Sequence, residues 1–217
     1  MIKVDRSYPA PESLGREKKV NGSYSNPDVV KQLETDFDNK CYLCEIKPVQ
    51  DPEIEHLKPH YRGKDIDRKF DWDNLFWSCG HCNSIKNQRK YDEDIIDCCK
   101  MDPEEEVETI WTEENVICNP RKPNEQAKKT AELMTEIFNK KNTEMRVIKS
   151  QVRFDALTEE MNSLLKCLEK YTHNPLNRCN NRKLKAILRR KSAFASFKRD
   201  YIRRNVGTYK GIELYIE

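Results

Sequence analysis

Two pairs of cysteines with CxxC spacing constrain this chain more than any other feature. The first pair is Cys41 and Cys44, and the second is Cys79 and Cys82. Four thiolates in two such pairs are a ligand set that Zn²⁺ accepts in closed tetrahedral sites. The chain has nine cysteines, an odd number, and in a reducing compartment the paired ones are better explained as metal ligands than as disulfides. The sequence therefore predicts a structural zinc site at these four positions.

The segment between the cysteine pairs offers a second chemistry. A closed four-thiolate zinc ion has no open coordination position, so hydrolysis would need another centre. Glu55 supplies a carboxylate for a hard divalent cation, and the imidazole of His56 can take a proton from an attacking water. Asn83 follows the last cysteine and can add a carbonyl oxygen to the same cation. Lys86, nearly one helical turn further on, is expected to contact a phosphate.

Three segments carry a resemblance to a known family. They are Glu55-His56-Leu-Lys-Pro59, Asp73-Asn74-Leu75 and Cys79-Gly-His-Cys82-Asn83-Ser-Ile-Lys86. Together they resemble the HNH endonuclease superfamily, the ββα-metal nucleases, in its zinc-bound four-cysteine form. The resemblance implies that His56 is the general base and that Asn74 braces the loop holding it. It also implies that Glu55 and Asn83 bind a catalytic Mg²⁺ or Mn²⁺. Asn83 stands where the family more often has histidine, so this is an HNN variant.

The wider chain is similar to the nuclease subunits of Septu-type and retron-associated anti-phage systems. The similarity extends from Glu55 through Asp71-Trp72-Asp73-Asn74 to Lys86, and includes Asp102-Pro103-Glu104 and Ser192-Ala-Phe194. It implies DNA as the substrate and an ATPase subunit of the SMC/ABC-like class as a partner.

Two other functions remain open at this point. The chain could be a zinc module that binds nucleic acid or a protein partner without cutting, or an inactive scaffold whose helical tail docks an ATPase. The set His56, Asn74 and Asn83 favours the nuclease, because a purely structural zinc knuckle does not require it. His60 follows His56 by four residues and either contacts the metal or phosphate or is merely solvated.

Composition and pattern predict an α+β fold with a small core stapled by zinc, and the resemblance implies that this core is of the ββα-metal nuclease type. Only 36% of the residues are hydrophobic and 35% are charged, which limits the size of the core. We expect an N-terminal arm and helix over residues 1–40, the nuclease core with an acidic extension over 41–122, and a mostly helical region over 123–217.

Local signals predict most of the individual elements. Residues 1–25 are expected to form an extended arm, and Asn26-Pro27 to begin a helix that ends before the first cysteine pair. Ile54–Leu57 is expected to be a strand, and residues 83–90 an exposed helix that begins near Cys82. A hairpin is expected within residues 91–122, followed by helices over 124–140, 142–171, 182–190 and 192–204.

The charges of this chain are unevenly distributed along the sequence. Between Asp92 and Glu114 there are eleven acidic residues and one lysine, whereas between Arg178 and Arg204 there are eleven basic residues and one aspartate. The basic end could meet phosphate, an acidic partner or the acidic middle of this same chain. The sequence shows neither a signal peptide nor an apolar run of membrane-spanning length, so we expect a cytoplasmic protein without a membrane partner.

Overall fold

The first half of the chain folds as a short β-hairpin followed directly by a helix, with two further helices on its N-terminal side. A computed structural model describes residues 1–139 and 143–216. The elements of this half are α1 (Glu12–Val20), α2 (Pro27–Asp36), β1 (Pro52–His56), α3 (Ile66–Phe70), β2 (Leu75–Cys79) and α4 (Gly80–Lys86). Strands β1 and β2 pair antiparallel. The predicted strand at Ile54–Leu57 and the helix expected near Cys82 are confirmed, with slightly different bounds.

Helix α4 differs from its prediction in burial. The polar residues after Cys82 indicated an exposed helix, but Ile85 and Lys86 are both buried. Lysine is rarely buried unless it is paired, and the partner of Lys86 lies on β1. The charge of Lys86 therefore belongs to an internal ion pair, whereas Ser84 is exposed on the solvated face of the helix.

The N-terminal segment also differs from its prediction. Residues 12–20 form helix α1, although Pro11 and Gly15 suggested an extended arm. Helix α1 ends at Asn21, which adopts a left-handed conformation (φ 49°). Residues before α1 are extended along the protein, and the backbone N–H of Val4 donates to the carbonyl of Cys98 (2.9 Å). The extended arm is thus shorter than predicted and is followed by a helix, which the proline and glycine residues in this segment did not indicate.

Arg6 fixes this arm to the start of β2. Its guanidinium donates to the carbonyl oxygens of Trp72 (2.7 Å) and Leu75 (2.8 Å). It also lies 4.8 Å from the Trp72 ring centroid and 4.9 Å from that of Phe76. Both carbonyls flank Asn74, so the arm supports the turn that carries this residue.

The second half of the described chain is a hairpin and a set of helices. Its elements are α5 (Pro103–Glu106), β3 (Val107–Trp111), β4 (Val116–Pro120), α6 (Glu125–Asn139), α7 (Glu144–His173), α8 (Arg178–Leu188) and α9 (Ala195–Arg204). The predicted hairpin is confirmed, with Val107 opposite Pro120 and Trp111 opposite Val116. The four predicted C-terminal helices are confirmed as well. Two of their predicted ends, Lys140 and Asn142, lie outside the described residues.

One hydrophobic core joins the two halves. Phe76 on β2 and Ile85 on α4 belong to the same buried cluster as Phe138 on α6 and Leu164 on α7. Within residues 1–139 and 143–216, no helix has the length and apolar character needed to cross a bilayer.

The acidic middle of the chain is a partner of its own basic end. Glu104 accepts from Arg199 (2.7 Å) and from Arg203 (2.9 Å). Asp200 on α9 pairs with Arg121 after β4 (2.6 Å) and accepts the backbone N–H of Thr109 in β3 (2.7 Å). Of the three partners considered for the basic end, the acidic segment of the same chain is therefore the one that contacts α9.

Candidate functional site

The four predicted zinc ligands converge on one point. Cys41 and Cys44 lie in the turn after α2, Cys79 ends β2, and Cys82 lies in the first turn of α4. All four are buried, and their sulfur atoms lie within 4.8 Å of one another, with 3.9 Å between Cys44 and Cys79. Tetrahedral Zn–S bonds of about 2.3 Å place sulfur atoms about 3.8 Å apart. The four cysteines can therefore hold a zinc ion without a large rearrangement.

Residues from the second half of the chain pack against the four-cysteine cluster. Arg153 on α7, which is 6% exposed, donates through Nη2 to the Cys79 sulfur (3.2 Å). A four-thiolate zinc centre carries a net charge of −2, so a buried guanidinium beside it compensates part of that charge. His81, inside the second CxxC, is also buried, and its Nε2 lies 2.8 Å from the carbonyl oxygen of Ile137 on α6. Sequence reasoning missed Arg153, because no motif links it to a cysteine 74 residues away.

His56 occupies the end of β1 and points to the loop between the strands. Its Nε2 lies 3.0 Å from the carbonyl oxygen of Lys69. A carbonyl can only accept, so Nε2 carries the ring proton and Nδ1 keeps its lone pair. Burial is the main cause that lowers the His56 pKa to about 4, against the opposing effect of the Lys69 carbonyl. The imidazole is therefore neutral near pH 7, which is the state that accepts a proton.

Asn74 ties together both ends of the loop that follows His56. Its Oδ1 accepts from the backbone N–H of Lys58 (2.8 Å), and its Nδ2 donates to the carbonyls of Lys58 and Arg68 (both 2.9 Å). Its own backbone carbonyl accepts from Leu57 (2.9 Å). These bonds involve the two residues after His56 and the residue before Lys69, whose carbonyl faces the imidazole. Asn74 is thus placed where it can brace the loop that orients the histidine.

Glu55 points to the opposite face of β1, into the interior. Its Oε1 lies 2.7 Å from Nζ of Lys86, and its Oε2 accepts from the hydroxyl of Tyr42. The same ammonium donates to the carbonyls of His56 (3.1 Å) and Leu57 (2.8 Å). Glu55 is 4% exposed and Lys86 is 5% exposed. Burial raises the pKa of Glu55, and Lys86 and Tyr42 offset part of that shift.

This arrangement bears on two sequence predictions. A phosphate contact by Lys86 would require its ammonium to leave a carboxylate and two carbonyls. A cation contact by Glu55 would likewise require Lys86 to move. The other expected cation ligand, Asn83, is engaged separately, because its Nδ2 donates to Oε2 of Glu53 (2.6 Å). In this conformation, the expected donors of a catalytic cation therefore serve other partners.

The described chain holds no second cluster like that of the cysteines. Over residues 1–139 and 143–216, the four cysteines form the one group of three or more Cys, His, Asp or Glu residues whose ligand atoms converge. The donor set expected for Mg²⁺ or Mn²⁺ thus does not fit this conformation as it stands. The zinc set does.

His60 lies beside His56 instead of in the zinc site. The two ring centroids are 4.4 Å apart, and Nδ1 of His60 accepts from the backbone N–H of Gly63 (2.8 Å). Tyr24 packs edge-on against both rings. The predicted contact of His60 with metal or phosphate stays a prediction, although its ring lies beside that of His56.

Comparison with known proteins adds no family assignment, because neither a protein-family model nor a curated protein sequence matches this chain.

Lys86→Met is expected to destabilise the protein by about 3–5 kcal/mol at neutral pH, since it leaves Glu55 buried and unpaired. Urea unfolding followed by circular dichroism measures this loss. Lys90→Met is a matched control, because the partly exposed Lys90 forms ion pairs with Glu132 and Glu136, and the loss of each surface pair should cost under about 1 kcal/mol. The double variant Glu55→Gln/Lys86→Met should lose less than Lys86→Met alone. Equal stability of Lys86→Met and wild type would contradict this account of the pair.

Proposed function

We propose that this chain is a metal-dependent HNH endonuclease that hydrolyses phosphodiester bonds in DNA. The observation that carries the proposal is the orientation of His56. Its Nε2 is held by the Lys69 carbonyl, which leaves Nδ1 as a base. A histidine fixed in one tautomer beside a braced loop is suited to general base catalysis, and a purely structural zinc site has no need of it.

The protein residues divide the work as follows. Nδ1 of His56 takes a proton from water as the water oxygen attacks phosphorus. The bond between phosphorus and the leaving oxygen breaks, and the leaving oxygen takes a proton from solvent. Asn74 holds the backbone of Lys58 and Arg68 and so keeps the Lys69 carbonyl aligned with the ring. The four cysteines bring the turn after α2 next to the β2–α4 junction, so a zinc ion held by them would keep the hairpin and the helix together.

The proposal includes a catalytic Mg²⁺ or Mn²⁺, for which Asn83 and Glu55 are the donors. Such a cation would neutralise charge on the scissile phosphate and on the leaving oxygen. Glu55 can serve it only after Lys86 releases its carboxylate, because the ammonium already lies 2.7 Å from Oε1. Asn83 would exchange its contact with Glu53. The proposed active state therefore differs locally from the conformation described above.

One observation favours the alternative, a zinc module that binds nucleic acid or a protein partner without cutting. Lys86 supplies a positive charge at Glu55, where the endonuclease would need a divalent cation. If this ion pair is permanent, the ββα segment is a scaffold and His56 only orders the loop.

Nicking of supercoiled plasmid DNA separates the two functions. The wild-type protein is incubated with Mg²⁺ or Mn²⁺, alone and with the ATPase subunit that the resemblance implies as a partner. The endonuclease proposal predicts open-circular or linear product that depends on the added cation. Intact plasmid under all of these conditions, from protein with full zinc content, would favour the non-catalytic module.

We further propose that the chain acts with an ATPase subunit of the SMC/ABC-like class in anti-phage defence. This proposal rests on the similarity of residues 55–86, 102–104 and 192–194 to nuclease subunits of such systems. Co-purification of the full-length chain with the product of the neighbouring reading frame tests it. Separate elution of the two proteins would count against this partner.

A further inference from the structure

Helix α8 differs from the other basic part of the C-terminal region in leaving its charges unpaired. It contains Arg178, Arg182, Lys183 and Lys185 and no acidic residue. Its apolar side, with Leu184 and Leu188, is buried. The four basic residues are exposed.

Three of these residues form one stripe along the helix. Arg178, Arg182 and Lys185 follow one another at spacings of four and three residues, which places them within an arc of about 60°. The corresponding steps along the helix axis are about 6 and about 4.5 Å, from a rise of 1.5 Å per residue. We call these three residues the α8 stripe.

The nearby arginines of α9, in contrast, form ion pairs with the acidic middle of the chain. Arg199 and Arg203 both contact Glu104, and Arg204 lies near Glu108. No member of the α8 stripe forms an ion pair within the described part of the chain, and the described contact of Lys185 is with the Tyr215 ring, 5.9 Å away. The acidic middle therefore neutralises α9 and leaves α8 free for another anion.

The unpaired stripe is unfavourable for the isolated helix. Like charges four residues apart, such as Arg178 and Arg182, repel each other. A positive charge in the first turn, where Arg178 lies, also opposes the helix dipole. Both costs fall when a polyanion lies along the stripe.

We propose that the α8 stripe binds consecutive phosphates of a nucleic-acid backbone. Three positive charges in line along the helix match a repeating anion, and the forked guanidinium groups of Arg178 and Arg182 can each bind two phosphate oxygens. The stripe would supply affinity without sequence preference. This proposal rests on the proposed function in one respect, since it takes DNA to be the substrate of the site around His56.

The test measures DNA binding in a His56→Ala background, so that cutting does not interfere. Fluorescence anisotropy with a labelled short duplex gives the binding constant between about 50 and 200 mM salt. The triple substitution Arg178→Gln/Arg182→Gln/Lys185→Gln removes the stripe. The matched control, Lys19→Gln/Lys31→Gln/Lys149→Gln, removes the same charge from exposed lysines elsewhere.

The stripe variant should bind at least about tenfold more weakly at low salt. Its log–log salt dependence should be shallower by about 0.9 for each phosphate that the protein no longer neutralises. The control should change the salt dependence much less. Equal effects of the two triple variants, at unchanged zinc content and melting temperature, would overturn the proposal.

Poly-glutamate serves as the probe for an acidic protein face. Loss of poly-glutamate binding by the stripe variant, together with undiminished duplex binding, would also overturn the proposal. Failure of this proposal is distinct from failure of the endonuclease proposal. The DNA contact of the α8 stripe is tested by binding to the His56→Ala protein, whereas the endonuclease is tested by plasmid cutting with the wild-type protein.

Discussion

Cys44→Ser is expected to release zinc and to unfold the segment from Cys41 to Tyr91. Cys44 is buried with its sulfur 3.9 Å from that of Cys79, and it is one of the four cysteines whose ligand atoms converge in the described part of the chain. Structural zinc contributes about 10–16 kcal/mol in zinc-finger peptides, which is comparable with the whole stability of about 5–15 kcal/mol of a typical domain. We expect less than one zinc per chain and loss of the cooperative thermal transition.

Metal analysis and differential scanning calorimetry measure these two effects. Cys179→Ser is the matched control, since it makes the same atomic change at an exposed cysteine on α8. This control should keep its zinc and melt with the wild type. A Cys44→Ser protein with full zinc content and an unchanged melting temperature would contradict the zinc assignment.

His56→Ala is expected to lower plasmid nicking by about 10²–10⁴-fold, the usual contribution of a general base. The substitution removes the ring that carries the lone pair at Nδ1 and its contact with the Lys69 carbonyl. Zinc content should stay at the wild-type value, because His56 is not among the four converging cysteines.

Initial rates of nicking, at saturating Mg²⁺ or Mn²⁺, give the size of this effect. His173→Ala is the control, since His173 is exposed at the end of α7. Its rate should equal that of the wild type. If His56→Ala loses zinc, the histidine is structural, and if it cuts at the wild-type rate, another group accepts the proton.

Short-range patterns in the sequence predicted the parts of this structure that short-range forces determine. The spacing of Cys41, Cys44, Cys79 and Cys82 identified the four cysteines that converge and can hold a zinc ion, because the two thiols of a CxxC pair are already near each other. Asn26-Pro27 predicted the start of α2, since proline at the first helical position loses no hydrogen bond.

Contacts between distant parts of the chain could not be predicted in the same way. Lys86 and Glu55 are 31 residues apart, and only the packing of α4 on β1 brings their charges together. Arg153 reaches Cys79 across 74 residues. Helix α1 was missed although Gly15 has a weak helix propensity, because its side chains contact residues far along the chain, as when Ser13 donates to Asp28 (2.7 Å) and Lys18 pairs with Asp67 (2.7 Å). Sequence patterns therefore identified candidate ligands and strands, but not the distant side chains that contact those ligands in the folded protein.

The contact between Arg153 and Cys79 makes zinc affinity and the docking of α7 thermodynamically linked. Zinc binding leaves negative charge on the thiolates, which strengthens the contact with the guanidinium, so a docked α7 favours the bound metal. Linkage is reciprocal, and loss of zinc weakens the attachment of α7 by the same free energy. A partner that displaces α7 would thus lower the affinity of the cysteines for zinc, and a partner that stabilises the docked α7 would raise it. A zinc ion held by the four cysteines would therefore connect the two halves of the chain, in addition to joining the β2–α4 junction to the turn after α2.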